Sequence, residues 1–138
     1  MIQLRDSKPA DLSLVFDSWM RSWRSSKWAG VIPNNLYFDT MRTLIEDLIT
    51  RGAKITIAAH EENPDLILGW ACYEIKEGRT VLHYLYIRDG YVGSSQDIAD
   101  KLLEATPGDK PGFVTFKMQH KDLKSWTHAP EIARRLAL

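Results

Sequence analysis

The spacing of apolar residues changes near residue 53, and this change constrains the fold more than any other feature of the chain. Before it, apolar side chains recur three and four residues apart over residues 12–23 and 37–48, which predicts two amphipathic helices. After it, three segments have a period of two: AKITIAA (53–59), LILGWACYEI (66–75) and TVLHYLYIR (80–88). Short turns separate these segments, so the sequence predicts an antiparallel meander of three strands.

Shorter patterns complete the predicted order. MIQLR alternates and predicts a first strand, and Gly52 is predicted to end the second helix. The remaining segments predict a helix (98–103), a strand GFVTFKM (112–118) and a short helix APEIARRLAL (129–138). The order β-α-α-β-β-β-α-β-α predicts a single domain over residues 1–138. Its fold class is α/β of the α+β type, with a mixed, mostly antiparallel sheet and helices on both faces.

Charge and cysteine content argue against several classes of protein. Lys plus Arg equals Asp plus Glu at 18 each, so no net field attracts nucleic acid or an anionic membrane. The N-terminus lacks an apolar signal region and no run of 18 apolar residues occurs, which predicts neither secretion nor a membrane span. The single cysteine, Cys72, lies in an apolar run and predicts a buried thiol in a reducing compartment, the cytoplasm.

Two weaker patterns favour ordinary structural roles. The segment MRSWRSSKW mixes basic and aromatic residues, as nucleic-acid-binding segments do, but Trp23 falls on the apolar stripe of the first helix. A solvated basic face is therefore the favoured interpretation, and nucleic acid is not expected as a partner. His120, Asp122 and His128 lack the spacing of metal ligands, so no metal site is predicted.

Four stretches carry a resemblance to a known family. They are DSWMRSWRSS, IPNNLYFDTM, LILGWACYEI and VLHYLYIRDGYV followed by IADKLLEA, which together cover most of residues 2–105. They resemble the GNAT superfamily of acyl-CoA-dependent N-acetyltransferases, and more narrowly its small phage-encoded members. The resemblance implies transfer of an acyl group from acetyl-CoA, the cosubstrate, to an amine of a small molecule or protein.

The resemblance also implies where the cofactor would bind. In that family the strand before the cofactor helix splays from its neighbour and holds the pantetheine through backbone amides, here those of Leu85, Tyr86 and Ile87. The pyrophosphate loop has the form Gln/Arg-x-x-Gly-x-Gly/Ala and binds at a helix N-terminus. It aligns with SSQDIA, whose residues are Ser94, Ser95, Gln96, Asp97, Ile98 and Ala99.

Two positions of this loop depart from the family pattern. Ser94 stands in place of Gln or Arg and cannot offer a charged fork to a phosphate. Asp97 stands in place of glycine and puts a Cβ and a negative charge beside the pyrophosphate. The loop is therefore interpreted as degenerate. The same four residues, SSQD, also have the spacing of a capping box that satisfies only the amides of the helix itself.

Acyl transfer needs a base, an oxyanion donor and an acid for the thiolate. The resemblance implies a backbone amide near Leu85 as the oxyanion donor, and Ser125 or Thr127 as the acid. The candidate bases are Tyr84, His83 and Glu74, in the central strands. Alternation predicts two sets of residues on opposite faces: His83 with Val81, Leu85 and Ile87, and Tyr84 with Leu82 and Tyr86. Core packing of His83 and sheet packing of Tyr84 are the alternative interpretations.

Two functions from different classes stay open. One is an acetyl-CoA-dependent N-acetyltransferase, and the other is a catalytically inactive GNAT-fold protein for binding or assembly, of phage origin. Family domains continue into one or two closing strands, whereas this sequence stops after its last predicted helix, so those C-terminal strands are expected to be missing. The strand GFVTFKM would then be an exposed edge, and we expect a homodimer through this edge or through the last helix.

Overall fold

The structure is a computed structural model that describes residues 2–24, 34–88, 95–115, 123 and 125–129. A 3₁₀ helix at Pro9–Asp11 precedes α1. The helices are α1 (Leu12–Arg24), α2 (Asn34–Thr50) and α3 (Ser95–Ala105). The strands are β1 (Ile2–Asp6), β2 (Lys54–His60), β3 (Asn63–Lys76), β4 (Arg79–Ile87), β5 (Asp109–Val114) and β6 (Thr127–His128). None of the helices in the described part is both long and apolar enough to cross a membrane.

One sheet contains all six strands in the order β1-β2-β3-β4-β5-β6. The pairs from β1 to β4 are antiparallel, whereas β4–β5 and β5–β6 are parallel. The predicted mixed, mostly antiparallel sheet is therefore confirmed. A parallel β4–β5 pair requires a crossover connection, and α3 is that connection.

Helices cover both faces of the sheet, as predicted, and two apolar cores result. On one face, α1 and α2 contribute Val15, Trp19, Ile45 and Leu48 to a core that includes Trp70 of β3. On the other face, three residues of α3 pack on four strand residues: Ile98, Leu102, Leu103, Ala58, Leu68, Ala71 and Leu82. Neighbours such as Trp70 and Ala71 belong to opposite cores because side chains alternate along a strand. Cys72 is fully buried, as expected from its apolar context.

The turns follow the predicted chemistry. The N–H of Gly52 donates to the carbonyl of Ile49, and the N–H of Ala53 donates to that of Leu48. With Gly52 at a φ of 106°, this is the Schellman ending of a helix, and it confirms the predicted end of α2. Glu77 and Gly78, both at positive φ, form the tight turn between β3 and β4.

The far side of β5 differs from the prediction. β6 pairs with β5 through Phe113–Thr127 and Val114–His128, so the prediction that GFVTFKM forms an exposed edge is wrong. The sequence shows no strand pattern there, because β6 has only two residues and both are exposed. In addition, β5 begins at Asp109, three residues before that segment. Residues 116–118 and the predicted helix from Pro130 onward lie outside the described residues.

Candidate functional site

At His83, β4 contains one residue more than the facing part of β3. Cys72 pairs with Tyr84 and Tyr73 pairs with Leu82, so within the fully described β3 no residue lies opposite His83. This is a β-bulge, which adds a residue to one strand and redirects its side chain. The alternation of side chains between the two faces of the sheet therefore shifts by one residue at the bulge.

The bulge overturns part of the predicted pattern of faces. Leu85 packs in the core on the α3 side, but Leu82 packs there too, although alternation placed it with Tyr84. Tyr84 and Tyr86 lie together in the core on the α1/α2 side, as predicted. His83 does not follow Leu85, because its imidazole reaches Glu74 on the neighbouring strand. Simple alternation fails because an inserted residue shifts the pattern by one.

The pairing of β4 with β5 is described as far as the residue before the bulge. Leu82 lies opposite Val114, and the N–H of Thr115 donates to the carbonyl of Leu82 at 3.1 Å. Beyond this point, β3 is the only strand of the described part of the chain that pairs with β4 as it continues to Ile87. Residues 116–122, which follow Thr115, lie outside the described residues, so the splay that the family resemblance implied stays a prediction.

Backbone groups in the second half of β4 point away from β3 at alternate residues. The N–H of Arg88 donates to the carbonyl of Leu68 at 2.8 Å, so Arg88 pairs toward β3. In an antiparallel ladder every second residue pairs toward the same neighbour, so Tyr86 and Tyr84 also pair toward β3. The N–H and C=O groups of Leu85 and Ile87 point away from β3. Two of the three predicted pantetheine contacts, those of Leu85 and Ile87, thus have the necessary orientation. The amide of Tyr86 does not, because it points toward β3.

A chain of hydrogen bonds crosses the sheet at the bulge. Nδ1 of His83 lies 3.0 Å from Oγ1 of Thr115, and Nε2 lies 2.6 Å from Oε1 of Glu74. Arg51 donates to Oε1 of Glu74 from Nη2 at 2.5 Å, and from Nε to both carboxylate oxygens at 3.1 and 3.2 Å. The side chain of His83 is fully buried, whereas that of Glu74 is 16% exposed. The structure thus brings together two of the three predicted bases.

The protonation states in this chain follow from its contacts. Burial acts to raise the pKa of Glu74, but hydrogen bonds from His83 and Arg51, together with their charges, lower it to about 2. Burial lowers the pKa of His83 by more than the contact with Glu74 raises it. Arg51 is a permanent cation, so Glu74 stays ionised and His83 is neutral at neutral pH. Nε2 must then carry the proton toward Glu74, and Nδ1 accepts from the hydroxyl of Thr115.

Glu74 and Tyr84 are poor bases in this arrangement. Glu74 lines an open cleft of about 930 Å³ together with Arg51 and Lys54, but a carboxylate with a pKa of about 2 takes up few protons at neutral pH. Tyr84 is 5% exposed, and its ring centroid lies 5.6 Å from that of Trp19 and 5.7 Å from that of Trp70. This geometry is typical of aromatic packing in a core.

The start of α3 contains the aligned pyrophosphate loop. The helix begins at Ser95, so Asp97 lies in its first turn, half-exposed and 3.6 Å from Lys101. The first N–H groups of a helix have no partner within the helix, so they remain available to an anion. Ile98 packs in the α3-side core and Ala99 is also buried, so neither side chain faces solvent. Ser94, and with it the predicted capping box, lies outside the described residues.

Arg51 and Thr115 were not among the site residues predicted from the sequence. Thr115 carried a usable signal, because it is the polar residue in the middle of the apolar segment GFVTFKM. Arg51 carried none, since it directly precedes the glycine that ends α2. The proposed thiolate acids, Ser125 and Thr127, are both exposed, and Ser125 lines a separate 390 Å³ cavity beside α3. Among the described residues, no group of three His, Cys, Asp or Glu side chains could hold a metal ion.

Solved structures share this fold, although no family model and no curated protein matches the sequence. PaiA N-acetyltransferase from Thermoplasma acidophilum, solved with coenzyme A, matches at a TM-score of 0.53 and 18% identity, over 75% of this chain and 68% of that one. A possible acetyltransferase from Clostridium difficile 630 matches at a TM-score of 0.52 and 11% identity, over 100% of this chain and 90% of that one. An N-acetyltransferase from Staphylococcus aureus Mu50 matches at a TM-score of 0.51 and 14% identity, over 75% of this chain and 62% of that one.

At these identities the likeness concerns the fold. The chain has the mixed α+β fold of these acetyltransferases, with a six-stranded sheet and three α-helices in its described part.

Proposed function

We propose that the protein is an acetyl-CoA-dependent N-acetyltransferase, which transfers an acetyl group to an amine. The observation that carries this proposal is the orientation of β4 beyond the His83 bulge. The N–H groups of Leu85 and Ile87 point away from β3, and no strand in the described part of the chain pairs with them. Strand groups of this kind can bind an extended chain that carries amides, as the pantetheine of coenzyme A does. The bound coenzyme A in the T. acidophilum structure supports this reading.

The described residues suggest a role for each part of the site. The N–H groups in the first turn of α3 would hold the pyrophosphate, because the N-terminus of a helix attracts anions. The N–H of Leu85 would stabilise the oxyanion formed at the thioester carbonyl. His83, neutral and oriented by Glu74, would be the base. Asp97 would weaken the binding of pyrophosphate without blocking the N–H groups of β4.

A specific observation also favours the second candidate, an inactive protein for binding or assembly. Asp97 is half-exposed in the first turn of α3, where a dianionic ligand would meet its charge. At ~5 Å and an effective dielectric near 20, the repulsion is about 3 kcal/mol per unit charge before screening by solvent. This is enough to make acetyl-CoA binding weak.

Other parts of the proposal concern the setting of the reaction. The acceptor would be an amine of a small molecule or a protein, and the buried thiol of Cys72 suits a reducing compartment such as the cytoplasm. Phage origin rests on the sequence resemblance alone. A homodimer through the last predicted helix remains a proposal, and sedimentation at tens of micromolar tests it. A mass that stays monomeric at every concentration would exclude it.

Calorimetric titration tests the proposed function. We expect acetyl-CoA to bind with a Kd below about 100 μM, which corresponds to roughly −5.5 kcal/mol. Pantetheine and adenosine 3′,5′-bisphosphate, titrated separately, distinguish binding along β4 from binding at the start of α3. Release of the free thiol in the presence of a panel of amines then reports transfer. If acetyl-CoA at millimolar concentration gives no heat and no thiol, the enzyme proposal is wrong and the binding or assembly role is favoured.

A further inference from the structure

Thr115, His83 and Glu74 form a continuous series of hydroxyl, imidazole and carboxylate. The hydroxyl-to-imidazole distance is 3.0 Å and the imidazole-to-carboxylate distance is 2.6 Å. Enzymes with an activated hydroxyl nucleophile contain these three groups in this order. The nucleophile lies within hydrogen-bond reach of a base, and a third group orients that base. A base that acts directly on an amine would not require a hydroxyl on its free nitrogen.

We propose that Thr115 is a nucleophile that receives the acyl group as a covalent ester before passing it to an amine or to water. This inference rests on the proposed acyl-transfer function, which supplies acetyl-CoA as the natural acyl donor. The chemistry itself requires only an activated acyl compound.

The electrostatics of the series suit this role. Glu74 is ionised and is held at both oxygens by Arg51, so the acceptor that orients His83 is itself fixed in place. The neutral imidazole therefore keeps its proton on Nε2 and presents a lone pair at Nδ1 to the hydroxyl of Thr115. An imidazolium formed during reaction would be stabilised by the adjacent carboxylate.

The position of Thr115 also suits this role. It directly follows the last residue of β5, beside the His83 bulge of β4. Its backbone is anchored by the hydrogen bond from its N–H to Leu82. The residue is half-buried, whereas the side chain of His83 is fully buried.

The reaction balances with the groups present. Oγ1 of Thr115 attacks the thioester carbonyl while its proton moves to Nδ1 of His83. The C–S bond then breaks, and the leaving thiolate takes the proton from Nδ1. An amine or water next attacks the resulting ester and gives a proton to Nδ1. That proton returns to Oγ1 as the C–O bond to Thr115 breaks, which restores the free enzyme.

The test uses p-nitrophenyl acetate, an activated ester that requires no coenzyme A site. The full chain is mixed with the ester, and the reaction is quenched in acid after short intervals. The protein is then digested, and mass spectrometry measures the mass of the peptide that contains residue 115. We expect one acetyl group on Thr115 in the native chain and in Thr115→Ser, and none at this position in Thr115→Val, which keeps the shape but lacks the hydroxyl. Release of p-nitrophenol should fall on the order of tenfold or more in Thr115→Val.

Control variants separate the nucleophile from general reactivity. Thr43→Val removes an exposed hydroxyl that donates to the carbonyl of Asp39, so its rate should equal that of the native chain. Glu74→Gln should slow acylation while Thr115 stays intact, because the base loses its charged partner. Circular dichroism confirms that each variant is folded. If native Thr115 remains unmodified, or if Thr115→Val matches the native rate, the proposal is overturned and His83 is a hydrogen-bonded core histidine.

The same experiment with acetyl-CoA separates this proposal from the function on which it rests. Labelling of Thr115 by the ester without any binding of acetyl-CoA would support the nucleophile and count against the transferase. Transfer from acetyl-CoA without an ester on Thr115, at any quench time, would support the transferase and exclude the nucleophile.

Discussion

Arg51, just beyond α2, holds Glu74 of β3 in a nearly buried ion pair. Nη2 of Arg51 lies 2.5 Å from Oε1 of Glu74, and the two side chains are 6% and 16% exposed. The pair joins the end of a helix on one face of the sheet to the strand beside the His83 bulge. Because Glu74 also contacts His83, the position of the imidazole depends on a residue that lies 32 positions earlier in the chain.

Removing Arg51 should strongly destabilise the fold. Arg51→Met leaves the Glu74 carboxylate without its permanent counter-charge, and we expect a loss of about 3 kcal/mol in the free energy of unfolding. Urea denaturation measures this loss. Arg51→Met/Glu74→Leu should recover part of it, because no buried charge remains. As a control, Arg21→Met removes an exposed i,i+4 pair with Asp17 and should cost less than about 0.5 kcal/mol. Equal losses for the two single variants would contradict this account.

Acid should destabilise the protein in two steps. The pKa of His83 is lowered from its usual 6.5, so below that pH the unfolded chain takes up a proton that the folded chain resists. The pKa of Glu74 is lowered from 4.5 to about 2, so a second loss occurs between those values. Asp11, with its pKa lowered by Arg5, adds to the second step. Melting temperatures from pH 7 to pH 3 should therefore fall below pH 6.5 and fall more steeply below pH 4.5.

Glu74→Gln provides the control for this pH dependence. The variant lacks the carboxylate, so the gap in melting temperature between it and the native chain should shrink below about pH 4.5. A gap that stays constant from pH 7 to pH 3 would show that Glu74 titrates normally in the folded protein.

Gly69 allows β3, β4 and α3 to approach closely. A Cβ built at Gly69 would lie 2.6 Å from the carbonyl oxygen of Tyr86 and 3.2 Å from side-chain atoms of Ile87 and Ile98. We expect Gly69→Ala to cost about 2 kcal/mol and to weaken acetyl-CoA binding, because β4 and α3 must shift. Gly78→Ala is the matched control, with a φ of 79° but open space around it. It should cost about 1 kcal/mol and leave binding unchanged, as urea denaturation and calorimetry would show.

The charge of Asp97 should weaken the affinity for acetyl-CoA. Asp97→Asn removes this charge from the first turn of α3 and loses only a half-exposed contact with Lys101. We expect affinity to rise roughly three- to tenfold at low salt, with a smaller gain at high salt. Glu104→Gln, about 10 Å further along the same helix, changes the net charge equally and should have little effect. Calorimetry that finds equal gains for both variants would indicate a general charge effect.

A larger change tests whether the loop is degenerate. Ser94→Arg together with Asp97→Gly restores the donor and the glycine of the family pattern, and should raise affinity by at least tenfold, about 1.4 kcal/mol. The glycine should lower stability by up to about 1 kcal/mol, which thermal melting detects. An intact melt without measurable binding would show that the start of α3 is not a cofactor site.

The sequence by itself determined the elements of this protein and the faces that most of them bury. The apolar stripe over residues 12–23 and the alternation over residues 53–88 predicted α1, α2 and the meander β2–β3–β4, because burial of apolar side chains must match the local geometry of a helix or strand. Glycines 52 and 78 marked their turns for an equally local reason, the positive φ that each adopts. These features depend only on residues close together in the chain.

Only the tertiary structure decided the candidate site. The bulge at His83 exists in the pairing of β4 with β3, and no pattern within β4 alone reveals an inserted residue. Thr115 and Arg51 reach His83 and Glu74 from positions far apart in the sequence. The two-residue β6 likewise forms only because β5 offers it unpaired backbone groups. Hydrogen bonds between distant residues have no period along a chain, so these contacts arise only once the sheet has assembled.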